Sequence, residues 1–175
     1  MTELVTPRLR LRKARAEDLA DLHGVMSTPR AMRYWSTPEH ESVEQTRHFL
    51  EGMIAADPAV TDDFVVERDG RVIGKAGAWR LPEIGFVLHP DHWGQGLGHE
   101  AVTAVIDHLF AAHSVPELTA EADPRNAASL ALLARLGFTE TGRAERTLLW
   151  RDEWCDSVYL ALSRTKWGTH RAAEA

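Results

Sequence analysis

Between Pro7 and Ala14 the chain alternates, PRLRLRKA, placing Leu9 and Leu11 on one face and Arg8, Arg10 and Arg12 on the other. That period of two predicts a half-buried strand. From Ala16 the period lengthens, and Leu19, Leu22 and Met26 in AEDLADLHGVM recur at helical spacing. A second helix is predicted within TPEHESVEQTRHFLEGMIAA, starting near Ser42, with Glu41 and Glu44 close to its positive end. DFVVERDGRVIGKAGAW then predicts two strands joined at Asp69-Gly70, a dipeptide suited to a tight hairpin, and EIGFVLH a third strand. A helix is expected from Gly96 to His113, with Leu97, Ala101, Val102, Val105, Leu109 and Phe110 along one face. PELTAEA reads as a strand, PRNAASLALLARLGF as a helix ended by Gly137, and the segment from Phe138 to Arg164 as two strands around a polar turn. The tail, residues 164–175, reads as poorly ordered. The resulting order, β-α-α-β-β-β-α-β-α-β-β, predicts one mixed α/β sheet with helices on its faces, in a single domain over residues 1–163.

The stretch LHPDHWGQGLGHEAV departs from these patterns, with Gly94, Gly96 and Gly98 at alternate positions between a strand and a helix start. Glycines there let several backbone N–H groups converge beside the positive end of the helix dipole, which favours a phosphate or pyrophosphate. A tight turn with left-handed backbone angles accounts equally well for the glycines alone. A P-loop is excluded, because no lysine follows them, and so is the dinucleotide fingerprint, because the spacing is G-x-G-x-G.

Composition narrows the field only modestly. The chain has 175 residues and a formal net charge of −6, which argues against a nucleic-acid partner but not against an anionic ligand at a local site. A single cysteine, Cys155, rules out an internal disulfide. The charged start MTELVTPRLRLRKARAEDL lacks a signal-peptide core and no run is long enough to span a bilayer, so a cytoplasmic protein without membrane contact is expected. His89, His92 and His99 match no established zinc spacing, and no metal is expected.

The motif WGQGLG resembles the acetyl-CoA signature of the GCN5-related N-acetyltransferases, Gln/Arg-x-x-Gly-x-Gly/Ala. Trp93 stands at the Gln/Arg position, as is common in the branch of ribosomal-protein N-terminal acetyltransferases (RimJ/RimL-like). TPRLRLRKARAEDLADL, EIGFVLHPDHWGQGLGHEA, NAASLALLARLGF and DSVYLALSR are similar to that branch in order, over residues 6–163. The resemblance implies a mostly antiparallel sheet whose central strands splay apart, acetyl-CoA as cofactor, an amine acceptor and the possibility of a homodimer. It implies that Phe86, Val87 and Leu88 offer a strand edge to the pantetheine arm, and that Trp93, Gly94, Gln95, Gly96, Leu97, Gly98 and His99 face the pyrophosphate. Leu88 N–H is implied as the donor to the thioester carbonyl.

Asn126 resembles the family's cofactor-contacting asparagine and is equally a good helix N-cap. Many members carry a tyrosine acid seven residues after it; Leu133 stands there, leaving Ser129 as the candidate donor to the departing thiolate or as a hydroxyl bonded to its own helix. Glu83, and after it Glu121, are candidate bases, with solvated strand-end carboxylates as the alternative. Tyr34, Trp35 and Trp79 are expected to line an acceptor pocket, or else to belong to the core. The expected activity is acetyl transfer to a primary amine, of a protein N-terminus or a small molecule, by direct attack in a ternary complex. A non-catalytic acyl-CoA-binding domain and an enzyme using a longer acyl group are the alternatives.

Overall fold

The computed structural model describes residues 2–175. The strands are β1 (Glu3–Val5), β2 (Arg10–Arg12), β3 (Asp62–Arg68), β4 (Arg71–Arg80), β5 (Glu83–Leu88), β6 (Glu117–Ala122), β7 (Thr139–Trp150) and β8 (Glu153–Ser163). The helices are α1 (Leu19–Met26), α2 (Pro29–Met32), α3 (Val43–Ala55), α4 (Leu97–Ala112), α5 (Ala127–Arg135) and α6 (Arg164–Glu174). All strands form one sheet in the order β1-β2-β3-β4-β5-β6-β8-β7, antiparallel except for β5 beside β6. This is the splayed mixed sheet that the resemblance implied.

Alternation along the strands assigns the two faces. Ile84 and Leu88 of β5 join Phe64, Leu118 and Leu160 against α4 and α5, whereas Val87 joins Leu22, Val25, Met26 and Leu50 from α1 and α3. The β3–β4 turn holds Asp69 and Gly70 at φ of 51° and 78°, the geometry a two-residue hairpin demands. α3 begins at a full capping box: Ser42 Oγ accepts from Gln45 N–H and the Gln45 side chain reaches back to the N-cap backbone. α5 ends in a Schellman motif, with Gly137 at φ 93°, its N–H on Ala134 O and that of Phe138 on Leu133 O.

Three local expectations need correction. The first predicted strand, Pro7–Ala14, shortens to β2, and an unanticipated β1 precedes it, because Thr6 turns the chain back between them by bonding Leu9. The predicted helix at Ala16 starts as a 3-10 turn before α1, and α2 was not anticipated. The predicted loose tail is α6: Ser163 Oγ accepts from Lys166 N–H, and Trp167 is buried with its Nε1 donating to Asp107 at 2.8 Å. Replacing Ser163 with Ala should lower unfolding stability by about 1 kcal/mol in urea titrations, the usual worth of an N-cap. No helix among the described residues is long and apolar enough to cross a membrane.

Candidate active site

β5 and β6 meet at a single register position, Glu83 opposite Thr119, pinned by Thr119 N–H on Pro82 O at 3.0 Å. Each then follows its antiparallel neighbour, β4 for one and β8 for the other, and the two part into a cleft. At the open end His89 N–H bonds Ile73 O on β4. Alternation of an antiparallel ladder therefore turns the N–H of Leu88 away from β4, into the cleft. By the same alternation Phe86 and Leu88 turn their backbone groups toward the cleft, while those of Val87 face β4. One of the cleft-facing groups is held from within the chain: Trp93 Nε1 donates to Leu88 O at 2.8 Å, while the Trp93 ring faces the Arg30 guanidinium at 5.3 Å.

Beyond Leu88 a 3-10 turn at Pro90–His92 leads into the glycine loop. Gly94 and Gly96 have φ of 69° and 77°, angles that a side chain would strain. Gly96 is the N-cap of α4 and offers no side chain to cap it, so the N–H groups of Leu97, Gly98 and His99 open the helix without internal partners. The space beside Gly98 is bounded by Leu132 and Leu88, which brings α4, α5 and the β5 edge to one point.

The periphery of this loop contains residues that sequence reasoning missed. Arg8 donates from its backbone N–H and its Nε to Glu100, and from Nη1 to Gln95 O at 2.7 Å. Arg68 Nη1 reaches Gln95 Oε1 at 2.9 Å. Burial pushes the Glu100 carboxyl up, but bonds from Thr6 and Arg8 outweigh it and hold the group below its ordinary range. A carboxylate in the first turn of α4 is thereby neutralised, and two guanidiniums flank the loop. The strand pattern placed Arg8 on a polar face without indicating where that face points.

At the far wall of the cleft's mouth, Asn126 Oδ1 accepts from Ser129 N–H at 3.2 Å, so the N-cap reading of Asn126 is realised. Ser129 is half-buried, and Leu133 packs in the same core cluster as Leu88 and Leu132. The preceding turn is braced by Arg125, which bonds Asp123 and Glu153 and holds the Asp123 carboxyl below its usual range.

The expected acceptor residues divide into two groups. Trp35 and Trp79 both lie against Gly85, and Trp79 Nε1 donates to Glu83 at 3.0 Å, so these three side chains assemble over β5. Tyr34 instead sits between the guanidiniums of Arg33 and Arg125, and Arg33 continues to Glu153 and the Trp150 ring on the β7–β8 hairpin. Glu121 stands on β6 and accepts from Ser157 Oγ, which also pairs with Thr147 at 2.6 Å. Glu83 lies at the closed end of the cleft, five residues and roughly 16 Å of strand from Leu88.

Comparison with known proteins agrees with this architecture. An uncharacterized N-acetyltransferase, p20, of Bacillus licheniformis is 30% identical over 151 residues, 81% of this chain and 85% of its own length. The ribosomal protein uS5-alanine N-acetyltransferase of Escherichia coli is 34% identical over 91 residues, 52% of this chain and 47% of its own. The structure of spermidine N-acetyltransferase from Vibrio cholerae with CoA and spermine superposes at a TM-score of 0.78, with 20% identity over 93% of this chain and 99% of that one. Residues 8–139 match the acetyltransferase (GNAT) domain family. The chain belongs to that family: it is a GNAT N-acetyltransferase, and its cofactor is acetyl-CoA.

Proposed function

We propose that this enzyme acetylates a primary amine by direct attack within a ternary complex, and that its acceptor is a protein N-terminal α-amine. The observation that carries the reading is the parted edge of β5 beside a helix start with uncapped N–H groups. Acetyl-CoA, when bound, supplies the acetyl group as a thioester. Backbone N–H groups from Gly94 to His99 are suited to its pyrophosphate, and the edge at Phe86–Leu88 to its pantetheine amides, as an added strand. This explains how a chain of net charge −6 holds a polyanion: the attraction is local, from backbone dipoles with Arg8 and Arg68 at the rim.

The Leu88 N–H is placed to stabilise negative charge growing on a carbonyl oxygen in the cleft. Ser129 serves as donor to the departing sulfur, and Asn126 fixes the turn from which it projects. Leu133, apolar and buried, offers no proton. The acceptor class follows from the carboxylates. Glu83 is bonded to Trp79, roughly 16 Å of strand from Leu88, and Glu121 to Ser157, so each carboxylate is already engaged and deprotonation gets little direct help. An α-amine, with a pKa near 8, needs little, whereas a lysine near 10.4 needs more. Trp35, Trp79 and Glu83 form an aromatic and acidic wall suited to the cationic or apolar remainder of the acceptor. The relative acting on ribosomal protein uS5 supports the same class.

CoA at a hundredfold over its Kd should raise stability by nearly 3 kcal/mol, seen as a thermal shift that ATP does not reproduce. In a coupled assay for free thiol, peptides with a free N-terminus should turn over, and their N-acetylated forms should not. Ser129→Ala should lower kcat about tenfold or more with little change in KM for acetyl-CoA. Turnover of polyamines without turnover of any peptide would remove the α-amine assignment.

A further inference from the structure

We propose a second site, unrelated to acetyl transfer: Asp62, His108 and His113 form a divalent-metal site of zinc type that staples β3 to the end of α4. The two imidazoles converge on one oxygen. His108 Nε2 and His113 Nε2 lie 2.8 and 2.7 Å from the same Asp62 Oδ2, and the three donor atoms fall within 4.8 Å of one another. The cluster is assembled wholly by tertiary structure, from the first residue of β3 and, 46 and 51 residues away, the position just before the last turn of α4 and its C-cap. The 16-residue α4 separates it from the glycine loop by about 24 Å.

The surroundings suit a metal. Lys13 Nζ takes the other carboxylate oxygen, Asp62 Oδ1, at 2.7 Å and is itself fixed by Asp63 O and the Phe64 ring. This leaves Oδ2 as a single, oriented donor, the way outer-shell partners commonly hold a ligating carboxylate. His108 is braced edge-on against Phe64. The carbonyl end of α4 adds the negative pole of its dipole, partly countered by Arg164 on His113 O. Two imidazoles and one carboxylate select zinc, cobalt or nickel over calcium and magnesium, which take oxygen donors. Both histidines are partly exposed, so solvent water can complete a tetrahedron.

The metal takes the Nε2 lone pair of each imidazole, with the remaining ring proton on Nδ1; a proton held on Nε2 leaves to water or moves to Nδ1 by exchange with it. Bonds of about 2.0 Å to nitrogen and oxygen require donor separations near 3.3 Å. The two nitrogen–oxygen separations would therefore open by roughly half an ångström from 2.8 and 2.7 Å.

The test uses the full chain without a histidine tag, stripped with chelator and then titrated with Zn²⁺. One equivalent should bind and raise Tm by about 3 °C or more, and Co²⁺ should give the visible bands of a tetrahedral nitrogen and oxygen site. His113→Gln and His108→Gln, which keep a polar group against Asp62, should each lose the tight equivalent and the Co²⁺ bands. The exposed His48→Ala should keep both. Substoichiometric binding, or binding that neither glutamine variant weakens, overturns the site and leaves the cluster as a hydrogen-bonded carboxylate. The thermal shift with CoA should survive in these variants, so failure here is separable from failure of the acetyl-transfer reading.

Discussion

A Gly96→Val protein should fold but bind CoA about ten- to a hundredfold more weakly. Gly96 has φ 77°, a conformation that a β-branched residue adopts only at a cost of roughly 1–3 kcal/mol. It is also the N-cap whose lack of a side chain leaves the first N–H groups of α4 open. A valine there must either hold the strained angle, with its methyls where a phosphate approaches, or relax and turn those N–H groups aside. Its Cβ would meet only the Arg8 guanidinium, at 3.4 Å, so the damage should concentrate on binding rather than on packing. Each tenfold loss corresponds to about 1.4 kcal/mol. Titration calorimetry with CoA reads the effect. Gly98→Ala is the matched control, since its added Cβ would make ordinary contacts at 3.6 and 3.9 Å and should change affinity little. Equal affinity for CoA in the valine variant would falsify the pyrophosphate role of the loop.

Lys75→Met should produce the largest loss of stability, about 3–5 kcal/mol, which is the usual result of stranding one member of a buried ion pair. Lys75 is 2% exposed, and its Nζ lies 2.7 Å from Asp63 Oδ2, itself nearly buried. The methionine keeps the length of the stem but leaves the carboxylate with only the Phe64 N–H at 3.1 Å. Urea unfolding should show a lower midpoint with little change in slope, and Lys75→Met/Asp63→Asn should recover much of the loss. The ammonium also lies 5.2 Å from the Trp35 ring, so the single variant should loosen the acceptor wall and raise KM for the amine. An unchanged urea midpoint would show that the pair is energetically neutral.

What the sequence disclosed and what it concealed divide along chain distance. The Asp69-Gly70 hairpin, the helix start near Ser42 and the Gly137 stop were legible because each is specified by residues within a turn of one another. The glycine loop was legible for the same reason, and ordered resemblance gave it a ligand. The arrangement of Arg8 around Gln95 and Glu100 was not, since it joins residues 87 and 92 positions apart. α6 was misread because its helical face is polar apart from Trp167, and the tryptophan finds its pocket and Asp107 only after the sheet has formed. The same holds for Asp62, His108 and His113: no local spacing marks them, and the histidines that did invite a metal reading, His89, His92 and His99, are not among those that converge.

The strand order carries a consequence for how the enzyme comes into being. β8, made last of the strands, lies inside the sheet between β6 and β7, and β6 has β8 as its long partner. While the chain is being synthesised, β6 therefore has no neighbour along most of its length until residues 153–163 have emerged. One wall of the cleft waits for them, and with it the braces that Glu153 gives to Arg125 and Arg33. A nascent chain carrying the whole glycine loop still lacks the opposite bank, so acetyl transfer should arrive abruptly at completion of the sheet, not grow with chain length.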